Sequence, residues 1–345
     1  MDHDTASLID SLAHADRLPR SVTAAPDVPE ALARLVLDGI LQIRHGGTFR
    51  SGPRAVGALF RTVPDHRAAG RPNRLARLTD SALEHGMALG LTEPAVLALR
   101  LYGFNTEPAT PRWCRRLPDQ EAVAGFLGLG HGGKLADEID RAGGDTATGR
   151  SSWRNWRTRE TDGAPPGRPT YKLYLSPGTD HLPCCLESVT ALLEGEHRPF
   201  AFKVGRRLYD ILRPDKLVLY FTTSEAVRRA AALLAAELTG VPAAGVPFTA
   251  PLSESGLVSW GIDPPTGESL ASWNPDRSWR RWLINRSATA LVSAAERPEA
   301  GVNPIAFVLA RVSLEGVDPA TWAPRDGLWE GGTEDRHASP SPAGR

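Results

Sequence analysis

The stretch from Arg168 to Thr222 constrains this chain more than any other. Three segments in it, Tyr171–Leu175 (YKLYL), Phe200–Val204 (FAFKV) and Leu217–Phe221 (LVLYF), are rich in aromatic and branched aliphatic residues. Pro, Gly and Asp bound them, which is the punctuation expected of strands. Between the first two, Leu186, Val189, Leu192 and Leu193 recur at helical spacing. Each segment also carries or adjoins a cation in an otherwise apolar run: Lys172, Lys203, and Arg213 with Lys216. A single lysine on an alternating strand ordinarily faces solvent, because desolvating an ammonium without a partner is costly. Lysines on several neighbouring strands, with arginines close by, instead point towards a pocket for an anion.

The rest of the chain divides around this stretch. Residues 1–142 read as a helical N-terminal region. Within it Leu32, Leu35, Val36, Ile40 and Ile43 make one apolar face, and Leu75, Leu78, Ala82 and Leu83 another. Asp80–Ser81 is a candidate cap for the later part of that second segment, and Glu93–Pro94 opens a third helix that Gly103 ends. Residues 143–167 are rich in Gly, Ser, Thr, Pro and Arg, follow neither period, and read as a linker. Its segment WRNWRTR is compatible with stacked bases and phosphates, but one short basic run fits a loop docked by Trp153 and Trp156 better. From residue 168 to 330 strand-like and helical segments alternate. The expected class is α+β, a mixed sheet with packed helices following the helical N-terminal region. Glu225–Leu238 is a strong helix with Ser224 as its cap and Gly240 after its stop. A further helix begins near Asp276, and Pro304–Val312 reads as an edge strand. Residues 331–345 form a polar, Pro/Ser-rich tail expected to be disordered.

Composition excludes several function classes. Forty acidic and forty basic side chains cancel, so no global field marks a nucleic-acid or membrane binder. The three cysteines, Cys114, Cys184 and Cys185, suit neither a disulfide framework nor a zinc spacing. His45, His85 and His131 are scattered without ligand spacing and read as surface or structural residues. No signal-peptide core or apolar membrane span occurs, so a cytoplasmic protein is expected. There is no G-x-G-x-x-G, P-loop or G-x-S-x-G sequence, and GHGG at 130–133 lacks the Lys-Ser/Thr a phosphate loop needs.

The ordered set K-x-Y-L-S-P from Lys172, F-K-V-G from Phe202, R-P-D-K-x-V-L-Y-F from Arg213, V-P-F-T-A-P-L from Val246 and L-V-S-W-G-I-D-P-P from Leu257 resembles the HopA-type effector family. That family comprises type III secretion effectors and free-standing actinobacterial relatives, some from class V lanthipeptide and thioamide-containing peptide pathways. The resemblance covers about half the chain, to roughly Val292. It implies elimination of phosphate from phosphorylated Ser or Thr in a precursor peptide, with a phosphotransferase as partner protein. It also implies distant similarity to phosphothreonine lyases. Those lyases carry a K-x-H strand motif, a later lysine as base, and downstream arginines and a tyrosine around the phosphate.

Residue by residue, the similarity places Lys172 and Tyr174 at K-x-H and Lys203 at the base. Arg213, Tyr220, Arg280 and Arg286 fall among the phosphate-binding groups. Tyr174 stands where the lyases have a histidine, so the general acid is open between Tyr174, His181 and His197. Arg280 and Arg286 are six residues apart, about 240° around an ideal helix, and would not share a face. The expected chemistry is metal-independent β-elimination to dehydroalanine or dehydrobutyrine, without a cofactor. A lysine serves as base where neighbouring cations and burial depress its pKa, and arginine holds phosphate bidentately. Two other readings use the same cations: a non-catalytic phosphopeptide or precursor-peptide binding module, and an effector-like interaction protein.

Overall fold

The computed structural model describes residues 28, 30–60, 73–145, 152–158, 169–195, 198–264, 278–296 and 303–325. The expected tail at 331–345, the helix start at Asp276 and the candidate acid His197 lie outside them. The N-terminal part is helical as expected: α1 (Glu30–Leu37), a small hairpin of β1 (Ile43–His45) and β2 (Thr48–Arg50), then α2 (Val56–Leu59), α3 (Arg74–Ala88), α4 (Pro94–Tyr102), α5 (Pro111–Arg116), α6 (Gln120–Phe126) and α7 (Lys134–Ala142). Asn73 caps α3 through its side chain at the Ala76 amide, 2.8 Å. Asp80 therefore lies within one continuous helix and does not cap a second one. Pro94 opens α4 and Gly103 follows its end.

Among the described residues seven strands form the main sheet, in the order β3 (Gly143–Asp145), β4 (Trp153–Thr158), β6 (Ala201–Gly205), β7 (Leu217–Phe221), β5 (Tyr171–Leu175), β9 (Val258–Ile262) and β8 (Ala250–Pro251). Between them run α8 (Leu182–Ala191), α9 (Leu208–Ile211) and α10 (Ser224–Glu237), with α11 (Trp279–Ala295) and α12 (Pro304–Leu314) at the end. The α+β class is observed, and every described pairing is antiparallel where a mixed sheet was expected. The stretch that reads as a linker supplies β3 and β4, the latter paired with β6 from Trp153↔Gly205 to Arg157↔Ala201. Its two tryptophans explain the difference. They sit three apart and so on opposite faces of a strand, where Trp156 stacks on Phe202 at 4.8 Å.

The two faces of the sheet differ in chemistry. One row across five strands, Trp156–Phe202–Leu219–Leu173–Trp260, is wholly apolar. It belongs to the main core with Val189 of α8 and Ala230 and Leu234 of α10. The other face is polar, and α4 and α11 pack beside it, against each other. Helix α12 corrects the edge strand expected at Pro304–Val312. A nearly continuous apolar run suits a buried helix as well as a strand. Here Asn303 caps the first turn at the Ile305 amide, and α1, α2 and α11 cover the helix from several sides. No helix among the described residues is long and apolar enough to cross a membrane.

Candidate functional site

Antiparallel register fixes which side chains share the polar face, because directly paired residues point the same way. One row runs Asn155–Lys203–Val218–Tyr174–Ser259. The next runs Arg157–Ala201–Tyr220–Lys172–Gly261. Lys172, Tyr174, Lys203 and Tyr220 therefore lie on one surface, spread over β5, β6 and β7.

Two glycines bring further groups to that surface. At Gly205, the end of β6, a Cβ would meet the Asp210 backbone at 2.6 Å. The bare backbone lets α9 fold tightly over the strand end and carry the chain to Arg213. At Gly261 a Cβ would meet the Trp279 side chain at 2.5 Å, so the first turn of α11 lies directly on β9. That turn places Arg280, which is fully buried, beside the polar face. The turn before β7 is held by Ser176, whose hydroxyl donates to the Pro214 carbonyl at 2.7 Å.

Arg213 and Arg280 meet around Asp215. Arg213 donates from Nε to Asp215 Oδ1 and from Nη2 to Oδ2, both at 2.9 Å. Arg280 Nη1 lies 3.5 Å from Asp215 Oδ2. Tyr102, the last residue of α4, joins them: its hydroxyl donates to Asp215 Oδ2 at 2.9 Å and accepts from Arg213 Nη2 at 3.0 Å. Burial raises the carboxyl pKa of Asp215, but the two guanidiniums and its hydrogen bonds outweigh that and hold it down at about 2. Burial and the adjacent carboxylate push the Tyr102 phenol up to about 12. Burial, with Tyr102 and Tyr220 nearby, pushes Tyr174 well above the usual tyrosine value. Both phenols are neutral proton donors at neutral pH.

Aromatic rings connect the cations. The Lys203 ammonium lies 4.4 Å from the centre of the Trp153 ring and 5.7 Å from that of Tyr220. The Arg213 guanidinium lies 4.9 Å from the same Trp153 ring and 5.2 Å from Tyr102, and Arg280 lies 4.5 Å from Tyr102. Lys172, buried, is bound at 2.5 Å to Asp263 just beyond β9. Thus Lys172, Tyr174, Lys203, Tyr220, Arg213 and Arg280 share one side of the sheet.

Arg286 does not join them. It pairs with Glu315 at 3.5 Å and lies over Trp282, one and two-thirds turns along α11 from Arg280. Lys216 is also elsewhere. It is fully buried and donates to Glu107, Pro177 O and Thr179 Oγ1, and burial lowers its pKa. His181 closes a single turn beyond the end of β5 and stands on neither row. Cys184 is exposed and Cys185 buried in the first turn of α8, both free thiols.

Sequence reasoning missed Tyr102, Asp215 and Trp153 as members of this cluster. Asp215 stands inside the quoted R-P-D-K motif, an aspartate flanked by two cations, which is a readable signal. Tyr102 carries none, since it ends a helix more than a hundred residues upstream. Among the described residues no group of three or more His, Cys, Asp and Glu side chains is placed to hold a metal ion.

No family model matches the sequence, and no curated protein matches it. Among solved structures the chain is similar to an effector protein from Pseudomonas syringae pv. tomato, with 14% identity and a TM-score of 0.41 over 73% of this chain and 99% of that one. An effector protein from Pseudomonas syringae pv. syringae gives 15% identity and a TM-score of 0.44 over the same shares. A variant of the Salmonella plasmid virulence C protein (SpvC) gives 15% and 0.31 over 42% of this chain and 78% of that one. At this level the likeness is distant and assigns the chain to no family.

Proposed function

We propose that the polar sheet face binds the phosphate of a phosphorylated Ser or Thr in a peptide and eliminates it, leaving dehydroalanine or dehydrobutyrine. The observation that carries this reading is the convergence of two lysines, two arginines and two tyrosines from β5, β6, β7, the turn before β7 and α11 on one surface. The motifs that resemble the HopA-type effector family contribute Lys172, Tyr174, Lys203, Arg213 and Tyr220 to that surface.

β-Elimination needs a base at Cα, a proton donor or cation for the leaving oxygen, and groups that hold the phosphate. Lys203, as the free amine, takes the Cα proton. The electron pair left on Cα forms the Cα=Cβ bond as the Cβ–O bond breaks, and phosphate departs. Tyr174, protonated and buried beside Arg280 and Asp215, is the acid for the leaving oxygen. Arg213 and Arg280 hold the anion through charge-assisted hydrogen bonds. Lys172 is committed to Asp263 and adds positive potential rather than base strength. The peptide is the substrate partner, and a phosphotransferase acting upstream supplies its phosphate.

One observation favours a second reading, a phosphopeptide-binding module without turnover. Rings at 4.4 and 5.7 Å favour the charged ammonium of Lys203 over the free amine. A single substitution separates the two. On incubation with a phosphothreonine peptide, Lys203→Arg keeps the charge but cannot supply a base near neutral pH. We expect elimination, read by mass spectrometry, to fall about a hundred- to ten-thousand-fold while phosphopeptide binding persists. An active Lys203→Arg protein would remove Lys203 as the base. A wild-type protein that binds the peptide without turnover would favour the binding module.

A further inference from the structure

We propose that Tyr102, at the end of the N-terminal helical region, is a positioning residue of the phosphate site, acting with Asp215 to hold Arg213 and Arg280 open towards one anion. The proposal rests on the phosphate reading above and extends the site into a part of the chain that carries none of its motifs.

Donor accounting supports it. A guanidinium has five N–H donors and no acceptor. Arg213 uses Nε and Nη2 on Asp215 and Tyr102, and its Nη1 donates to no described residue. Arg280 uses Nε on the Pro247 carbonyl at 3.2 Å and Nη2 on the Tyr102 carbonyl at 2.8 Å. Its buried Nη1 makes no hydrogen bond to a described residue and has only the longer ion-pair contact with Asp215. The chain thus occupies one side of each fork and leaves an Nη1 group of each. Two guanidiniums facing one carboxylate also leave a net positive charge. Unmatched donors beside surplus charge are stabilised by an incoming acceptor anion, and phosphate matches the guanidinium fork.

Tyr102 touches both arginines in three ways. Its hydroxyl accepts from Arg213, its carbonyl accepts from Arg280, and its ring lies against both guanidiniums. Its own position is fixed by the chain that follows. Asn105 adopts a left-handed backbone (φ 65°) and donates to the Ala244 and Gly245 carbonyls at 3.1 and 2.9 Å. This fastens the end of α4 to the loop whose Pro247 binds Arg280. Removing the hydroxyl takes away one of the two hydrogen bonds of Arg213 Nη2, loosening its hold while leaving the Asp215 contact, the ring and the carbonyl in place.

The test is calorimetric titration of the full chain with inorganic phosphate and with a short phosphothreonine peptide. Tyr102→Phe is expected to weaken both about tenfold, the order of one hydrogen bond to a charged group. Arg213→Gln is expected to weaken them at least as much. Val189→Ala, a substitution on the core face of α8, is expected to lower the melting temperature and leave phosphate affinity unchanged. If Tyr102→Phe binds phosphate like the wild type while Arg213→Gln does not, the positioning role is overturned and the phosphate site stands. If phosphate affinity falls equally in Tyr102→Phe and Val189→Ala, the role is merely structural and the proposal is likewise overturned. If Arg213→Gln also binds normally, the phosphate reading falls together with it.

Discussion

Asp215→Asn tests the electrostatic centre of the site, and the structure sets the size of the effect. The Asp215 carboxyl falls from its ordinary value of 3.8 to about 2, because Arg280 and Arg213 together outweigh the burial that opposes ionisation. A difference of nearly two pH units, at about 1.4 kcal/mol each, means the ionised carboxylate contributes about 2–3 kcal/mol to stability. The group is depressed on folding, so this contribution is present above about pH 4 and is lost as pH falls through about 2. Asparagine keeps the shape and can still accept from Tyr102, but it leaves two guanidiniums facing each other. The variant should therefore be less stable than the wild type by about 2–3 kcal/mol at neutral pH, or somewhat more given the unpaired charges. The gap should narrow between pH 4 and 2, where the wild type loses its own carboxylate. Urea midpoints measured for both proteins across that range supply the comparison. A gap that stayed constant down to pH 2 would refute the account, since it would then reflect packing and not charge.

Two further outcomes follow from the same geometry. Gly261→Ala should destabilise the protein by about 1–3 kcal/mol, as overpacking does, and weaken phosphate binding, because the new methyl group displaces Trp279 and with it Arg280; a variant with native stability and native phosphate affinity would contradict the close packing of α11 on β9. In a spectrophotometric titration Tyr102, raised to about 12, and Tyr174, raised well above the usual tyrosine value, should stay protonated past about pH 10, where an ordinary phenol ionises. The raised Tyr102 value adds stability that is complete below about pH 10 and is lost as pH rises through about 12. Full ionisation of all five tyrosines in the folded protein at about pH 11 would show that the phenols are not buried as described.

The sheet strands were legible because period and punctuation agree in them. YKLYL and LVLYF are strands at the bounds their residues suggest, and the third moves by one residue, to Ala201–Gly205. What failed was reading compositions in which the two periods overlap. Pro304–Leu314 is apolar on nearly every side, so alternation could not be distinguished from a helix buried by several neighbours. WRNWRT alternates only weakly and is enclosed by Gly- and Pro-rich residues, so its pairing with β6 depends on partners elsewhere in the chain. The antiparallel order is likewise a property of long-range pairing that no local stretch encodes.

Within the site, sequence reading found the cations but not what distinguishes them. Lys172 and Lys203 look alike on paper, each a lone ammonium in an apolar strand. The structure separates them by their surroundings. Lys172 reaches across to Asp263, in the S-W-G-I-D segment ninety-one residues later, and the pair is buried at 2.5 Å. A lysine held against a carboxylate in a buried pair gives up its proton only by leaving that carboxylate's charge uncompensated, which is costly. Lys203 faces Trp153 and Tyr220 and shares the Trp153 ring with the Arg213 guanidinium. A positive neighbour there opposes the charged form, while the rings support it. Lys172 is thereby held as the charged partner of Asp263, and Lys203 is the base in the function proposed above. On that reading, a phosphate that engages Arg213 changes the field at the Trp153 ring that Arg213 shares with Lys203.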